Sequence, residues 1–184
     1  MAILFGTDPT IVKNWHWYAF RKQSVRVPNL PHLLSNIHLL AAIPKAPVSN
    51  ILRYKHIVEH LPDPTMAIKE IGRVTEKDGI LILATPNLGS LLKPWKGDKW
   101  IGYQDPTHIA LKEPQEWLRL IQEAGFELKR VFSDGFWDVP YVRFIPSPIQ
   151  KLLFGSLGGL QAISGFVFLP MRWGESVIVI ARKK

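Results

Sequence analysis

The chain has 184 residues, a formal net charge of +8, 47% hydrophobic and 21% charged side chains, and no cysteine. That length suffices for one domain with a real core, and the missing cysteine excludes a disulfide framework and any thiolate metal site. No uninterrupted apolar stretch reaches the roughly 18 to 20 residues of a membrane span, and no basic, then apolar, opening marks a secretory signal; a cytoplasmic chain is expected, with the membrane surface as the alternative.

Residues 1–58 hold seven basic side chains and one acid, Asp8, so the positive charge sits at the start of the chain. Residues 1–47 are expected to form an irregular basic segment with one short helix. Trp15, Trp17, Tyr18 and Phe20 crowd together there. An aromatic-basic cluster can stack on bases or lie at a membrane interface. The plainer reading is a solvated segment, and nucleic acid is not expected as a partner. The helix is predicted over residues 31–42: Pro31 suits a first turn, Leu33, Leu34, Ile37, Leu40 and Ala41 share a face, and Pro44 and Pro47 end it.

From residue 48 to 184 strand and helix signals alternate. Val48 to Tyr54 predicts a strand. Asp63 is placed to cap a helix that has Pro64 at its first position and Ala67, Ile68, Ile71 and Val74 on its apolar face. Lys77-Asp78-Gly79 is expected to end that helix, and Ile80 to Ala84 reads as a strand covered on both faces. Residues 88–112 form a long loop of the kind that carries function. Pro114 opens the next helix, with Trp117, Leu118, Leu120, Ile121 and Ala124 as its stripe and Gly125 as its stop. Phe126 to Phe132 predicts a strand. Residues 140–172 are expected as a hydrophobic lid or insertion with a short helix near 148–154, and Ser176 to Ala181 as the last strand. The order argues for an α/β layered fold.

Three passages carry a family resemblance. His56-Ile57-Val58-Glu59-His60-Leu61-Pro62-Asp63-Pro64 comes first, then Gly72 through Asn87 with its Lys77-Asp78-Gly79 turn and Ala84-Thr85-Pro86-Asn87 ending, then Asp105-Pro106-Thr107-His108 followed by Glu116-Trp117 and Ala124-Gly125-Phe126. Together, in this order and spacing, they resemble the class I S-adenosylmethionine-dependent methyltransferases of the type 11/12 kind, over about residues 50–139, and Ser176 to Arg182 is similar to the family's last strand. The resemblance implies a partial Rossmann-like methyltransferase sheet built from the family's C-terminal strands and helices, with S-adenosylmethionine as cofactor and methyl transfer to an O, N or C acceptor. It also implies that His56, Glu59 and His60 line the cofactor cleft, at the carboxyl edge where such sheets bind ligands.

One family feature is not found. The glycine-rich turn after the first strand, where small residues let the backbone approach the cofactor, has no counterpart before Gly72 other than the isolated Gly6. The reading is therefore a truncated or rearranged family member of impaired activity, with a non-catalytic binding or scaffold module as the alternative and a basic nucleic-acid or membrane-surface adaptor as a weaker one. The 48–54 strand is expected to pair with the N-terminal segment or with another chain (a second copy or a partner completing the sheet), or else to aggregate.

Among individual residues, His108 and Tyr103 are the catalytic candidates. A neutral imidazole can take a proton from an acceptor hydroxyl or amine; the plainer alternative is a loop histidine bonding locally. His56-x-x-Glu59-His60 also spells the inverted zinc-peptidase motif, but the flanking residues do not read as a helix, and no metal site is assigned. Trp95, Trp100, Tyr103, Phe136, Trp137 and Tyr141 form either an acceptor pocket or lid packing. The apolar stretch 148–169 either covers the sheet edge or touches lipid, so the acceptor is a small molecule or a lipid-linked one.

Overall fold

The computed structural model describes residues 49–184; the expected irregular segment and its helix at 31–42 lie outside them. Strand β1 (Ser49–Lys55) leads through a 3-10 turn (Val58–His60) to helix α1 (Pro64–Val74) and strand β2 (Thr75–Pro86). The long loop contains α2 (Lys93–Lys96), a second 3-10 turn (Gly97–Lys99) and α3 (Ile101–Gln104). Helix α4 (Pro114–Glu123), β3 (Phe126–Ser133), α5 (Ser147–Ser164) and β4 (Ser176–Lys183) follow. The sheet runs β1-β2-β4-β3, with β1 and β2 parallel and β4 antiparallel to both of its neighbours. Among the described residues β1 pairs with β2 alone.

The start of α1 is the predicted one. Asp63 accepts a bond from the Met66 N–H at 2.8 Å, and Pro64 occupies a position whose missing N–H costs nothing. Its end is earlier than expected. The Thr75 hydroxyl turns back to the Ile71 carbonyl at 2.5 Å and the chain enters β2 at once. The Lys77-Asp78-Gly79 turn is instead an irregularity inside β2, where Asp78 has φ +68° and the register with β1 shifts. Asp78 is held there by Arg182 at 3.0 Å.

Side chains alternate across the strands. Leu81, Leu83, Val177, Val179 and Ala181 turn to one face, where Ile68, Ile71, Trp117, Leu120 and Ile121 of α1 and α4 cover them. Ala84, Phe132 and Ile178 turn to the other, with Val167 and Ile180 beside them. The two helices meet closely at Gly72, where a Cβ would run into the Ala124 carbonyl. Gly125, at φ +86°, ends α4 as expected.

The predicted short helix near 148–154 is corrected to an 18-residue helix. Two of its glycines let it approach its support. Gly155 lies under the Trp137 ring and Gly158 against Trp137 and the Asp134 carbonyl. Its inner face is polar. Gln150 accepts from the Tyr141 and Val142 N–H groups and donates to the Val142 and Ile145 carbonyls. Gln161 donates to the Ser133 carbonyl and accepts from the Phe168 and Leu169 N–H groups. The outer face carries the exposed Ile149, Leu152, Leu153, Leu160 and Ile163. Among the described residues no helix is long and apolar enough to cross a membrane.

Candidate active-site cleft

The ladder of β1 ends with the His56 N–H donating to the Ala84 carbonyl at 2.9 Å. His56 then takes φ +49°. For a side-chain-bearing residue that conformation costs about 1–2 kcal/mol, and such outliers gather at functional sites. The turn it makes throws the chain across the carboxyl end of the parallel pair, where an open α/β sheet receives its ligands. Because Val58–His60 is a single 3-10 turn, the H-x-x-E-H residues do not lie along one helix face, and the peptidase geometry is absent.

His56 sits between two partners. Its Nδ1 is 3.0 Å from Glu59 Oε1 and its Nε2 is 3.3 Å from the Ser176 hydroxyl. Asp134 accepts from the Ser176 N–H at 2.9 Å. Burial pushes the Asp134 carboxyl above its ordinary range, against the lowering by Ser176 and His56. Glu59 is fully buried, and its Oε2 has no hydrogen-bond partner.

The long loop is bound to this turn from the other side. The Ala110 N–H donates to the Glu59 carbonyl at 2.9 Å. His60 Nδ1 is 3.0 Å from the Thr107 carbonyl and 2.8 Å from the Thr107 hydroxyl. A carbonyl only accepts, so Nδ1 carries the proton. The Thr107 hydroxyl donates to Asp105 Oδ1 at 2.5 Å, and its N–H donates to the same oxygen at 2.8 Å. These two bonds hold the Asp105 carboxyl below the usual carboxylate range, helped by His108 and His60. His108 donates from Nδ1 to the Gly102 carbonyl at 2.7 Å. The imidazoles of His60 and His108 lie with centroids 4.7 Å apart, tilted by 48°.

Of the five residues singled out from the sequence, His56, Glu59, His60 and His108 are thus linked through one turn and one loop. Tyr103 stands apart. It is half exposed, packs edge-on against Trp100 at 5.1 Å, and its hydroxyl accepts from Lys93 at 3.5 Å. The six aromatic residues do not form one pocket. Trp100, Phe136 and Tyr141 are buried, whereas Trp95, Tyr103 and Trp137 are exposed.

Two positions with structural consequences were not picked out from the sequence. Glu175 is buried and receives the Trp100 indole N–H and the Tyr141 hydroxyl. Asn87 is fully buried and donates to the Met171 and Gly174 carbonyls at 2.7 and 2.9 Å, pinning the segment before β4 to the end of β2. The only signal for Glu175 is a lone acid directly preceding an apolar strand.

Comparison with known proteins now bears on this geometry. A family model described as a methyltransferase domain matches residues 50–131. A solved S-adenosylmethionine-dependent methyltransferase from Archaeoglobus fulgidus is 19% identical with a TM-score of 0.51, the alignment covering 80% of this chain and 64% of that one. Another, from Thermotoga maritima, is 19% identical with a TM-score of 0.49, covering 73% of this chain and 56% of that one. No curated protein sequence matches. The match over residues 50–131 is to a methyltransferase domain, and the fold is the Rossmann-like α/β fold seen in the S-adenosylmethionine-dependent methyltransferases. The chain spans less than two thirds of the length of either of these solved structures.

The described residues fit the cofactor on one side only. His56, about a third exposed with both ring nitrogens bonded, can present its ring edge and backbone at the carboxyl end of β1, and the half-buried His60 its Nε2. Glu59 offers no exposed oxygen, and no glycine-rich cradle is present among the described residues to receive the methionine end.

Proposed function

We propose that this chain forms the acceptor side and one wall of the cofactor cleft of an S-adenosylmethionine-dependent methyltransferase. The observation that carries this is the tie between the turn after β1 and the Asp105–His108 loop, through Ala110 to Glu59 and Thr107 to His60. It makes the cofactor-facing turn and the loop of the catalytic candidates one unit. S-adenosylmethionine, when bound, supplies the electrophilic methyl group. His56 and His60 border it, Glu59 fixes His56 from behind, and His108 offers Nε2 toward an O or N acceptor whose proton must leave. Tyr103 lies on the solvent side of the same loop. Alignment of acceptor and methyl is the main contribution of such a site, and proton removal adds to it.

The 184-residue chain by itself is proposed to bind the cofactor poorly, for want of a glycine-rich turn; a role as a non-catalytic binding module is the second reading. Calorimetric and thermal-shift titration with S-adenosylmethionine up to millimolar concentration tests this, beside a chimaera in which the glycine-rich half of a class I methyltransferase precedes residue 48. No binding by the chain and binding by the chimaera is expected. Tight binding by the chain alone contradicts impairment. A folded chimaera that binds nothing contradicts the cleft.

A membrane-surface location, with a lipid-linked acceptor, is supported by the outer face of α5. Leu152, Leu153, Leu160 and Ile163 form an exposed apolar row, with Phe144, Phe166 and Phe168 nearby in sequence and Arg143, Lys151 and Arg172 exposed. Apolar side chains beside basic ones suit an anionic interface.

A further inference from the structure

Glu59, His60 and His108 each offer a ligand atom, and the three atoms lie within 4.8 Å of one another. The hydrogen bonds around them leave one ring nitrogen of each histidine available. Both histidines give their Nδ1 protons to main-chain carbonyls, of Thr107 and of Gly102. In the neutral ring that places the lone pair on Nε2, and such an outer bond is how metal-binding histidines are oriented and made more basic. The nearest carboxylate oxygen to His108 Nε2, Asp105 Oδ2, is 3.9 Å away, too far for a hydrogen bond. A separate observation concerns Glu59. Its side chain is fully buried, Oε1 is held by His56, and Oε2 is enclosed without any donor. A buried carboxylate oxygen with no partner is costly, and a cation removes that cost.

We infer that Glu59, His60 and His108 form a binding site for a divalent transition-metal ion such as Zn2+, Mn2+ or Fe2+. Two imidazoles and one carboxylate suit those ions; an all-oxygen set would suit Ca2+ or Mg2+. Ligands about 2.1 Å from a tetrahedral ion stand about 3.4 Å apart, so a pair at the 4.8 Å limit closes by about 1.4 Å on loading. Three protein ligands leave positions open for water or an acceptor oxygen. The set differs from the inverted-peptidase reading of the same stretch, because His56 is spent on orienting Glu59 and the third ligand comes from the Asp105–His108 loop. Metal occupancy stands independently of methyl transfer. The role for the ion rests on the proposed function: an acceptor hydroxyl bound to it gives its proton to water more readily, and His108 then acts by holding the ion instead of taking the proton itself.

The test uses the full chain, freed of any polyhistidine tag and stripped with chelator. It is titrated with Zn2+ by calorimetry and with Co2+ by visible absorption. One ion per chain is expected, with a raised melting temperature. Asparagine keeps a donor toward Thr107 or Gly102 but has no Nε2, so His60→Asn and His108→Asn preserve the loop and are expected to weaken binding more than about 100-fold, beyond the usual cost of losing an outer-shell partner. Glu59→Gln is expected to do the same, with circular dichroism in chelator matching the parent for all three. His56→Ala is expected to weaken binding and keep the stoichiometry. Binding that survives His108→Asn but is lost in His56→Ala overturns the assignment in favour of the H-x-x-E-H set. Absence of stoichiometric binding to the folded parent overturns it outright, whatever the outcome of cofactor titration.

Discussion

The Trp100 indole N–H and the Glu175 carboxylate meet inside the protein, 75 residues apart in the chain and both withdrawn from solvent. The Tyr141 hydroxyl donates to the other oxygen of the same carboxylate, while accepting from the Asp138 N–H at 2.9 Å. Three segments, one after β2, one after β3 and one just before β4, are joined at one acid. Burial raises the Glu175 carboxyl above its ordinary value of 4.5, and the bonds from Tyr141 and Trp100 only partly oppose that.

A pH dependence follows from the sign of this shift. An acid whose folded-state pKa is raised binds its proton more tightly in the folded state, so its contribution is most favourable below 4.5 and declines as pH rises through the folded value. Urea midpoints are expected to fall from about pH 5 to about pH 8, and to fall less in Glu175→Gln, which cannot ionise. Equal slopes in the two proteins would remove Glu175 as the source.

Gly72→Ala is expected to destabilise the fold by about 1–3 kcal/mol, because the new methyl must push α1 and α4 apart at the Ala124 carbonyl. Equilibrium denaturation measures it. An unchanged midpoint would mean that the helices are not packed as closely as described.

The same contact shows what could be read from the chain and what could not. The apolar periodicity of residues 64–74 and 114–124 announced two helices covering a sheet, and Asp63 and Gly125 marked boundaries that the structure keeps. Thr75 did not announce that α1 stops before Lys77-Asp78-Gly79, since its helix-ending bond to Ile71 is a side-chain choice. Gly155 and Gly158 lie beyond the short helix expected near 148–154, and their value lies in packing against Trp137 and the Asp134 carbonyl, partners outside the helix. For the site, the motif residues His56, Glu59, His60 and His108 were legible through family resemblance. Their pairing through Thr107 and Ala110 was not, because it depends on where a 25-residue loop folds back (residues 88–112). Glu175 carries no motif at all.

Asn87→Ala removes the donors that hold the Met171 and Gly174 carbonyls and the acceptor for the Gly89 N–H at 3.1 Å. Buried groups left unpaired predict a loss of about 1–3 kcal/mol. Limited proteolysis is expected to cut first between α5 and β4, where the segment is released. Cleavage that starts elsewhere at the parent's rate would contradict this role.

Replacing Leu160 and Ile163 with aspartate tests the outer face of α5. Both are more than half exposed, so stability should change by less than about 0.5 kcal/mol per site. Co-sedimentation with anionic phospholipid vesicles is expected for the parent and should weaken by about tenfold per side chain. Parent chain that stays in the supernatant at low salt would exclude the membrane-surface location.

Amide hydrogen exchange in the glycine-rich chimaera, with and without S-adenosylhomocysteine, most directly tests the placing of the cofactor wall. Ligand-dependent protection is predicted at Lys55–Leu61 and, through the Ala110 and Thr107 ties, at residues 105–110. Bound ligand that protects the grafted half alone, leaving both segments unchanged, would contradict the assignment of the β1 carboxyl end to the cleft.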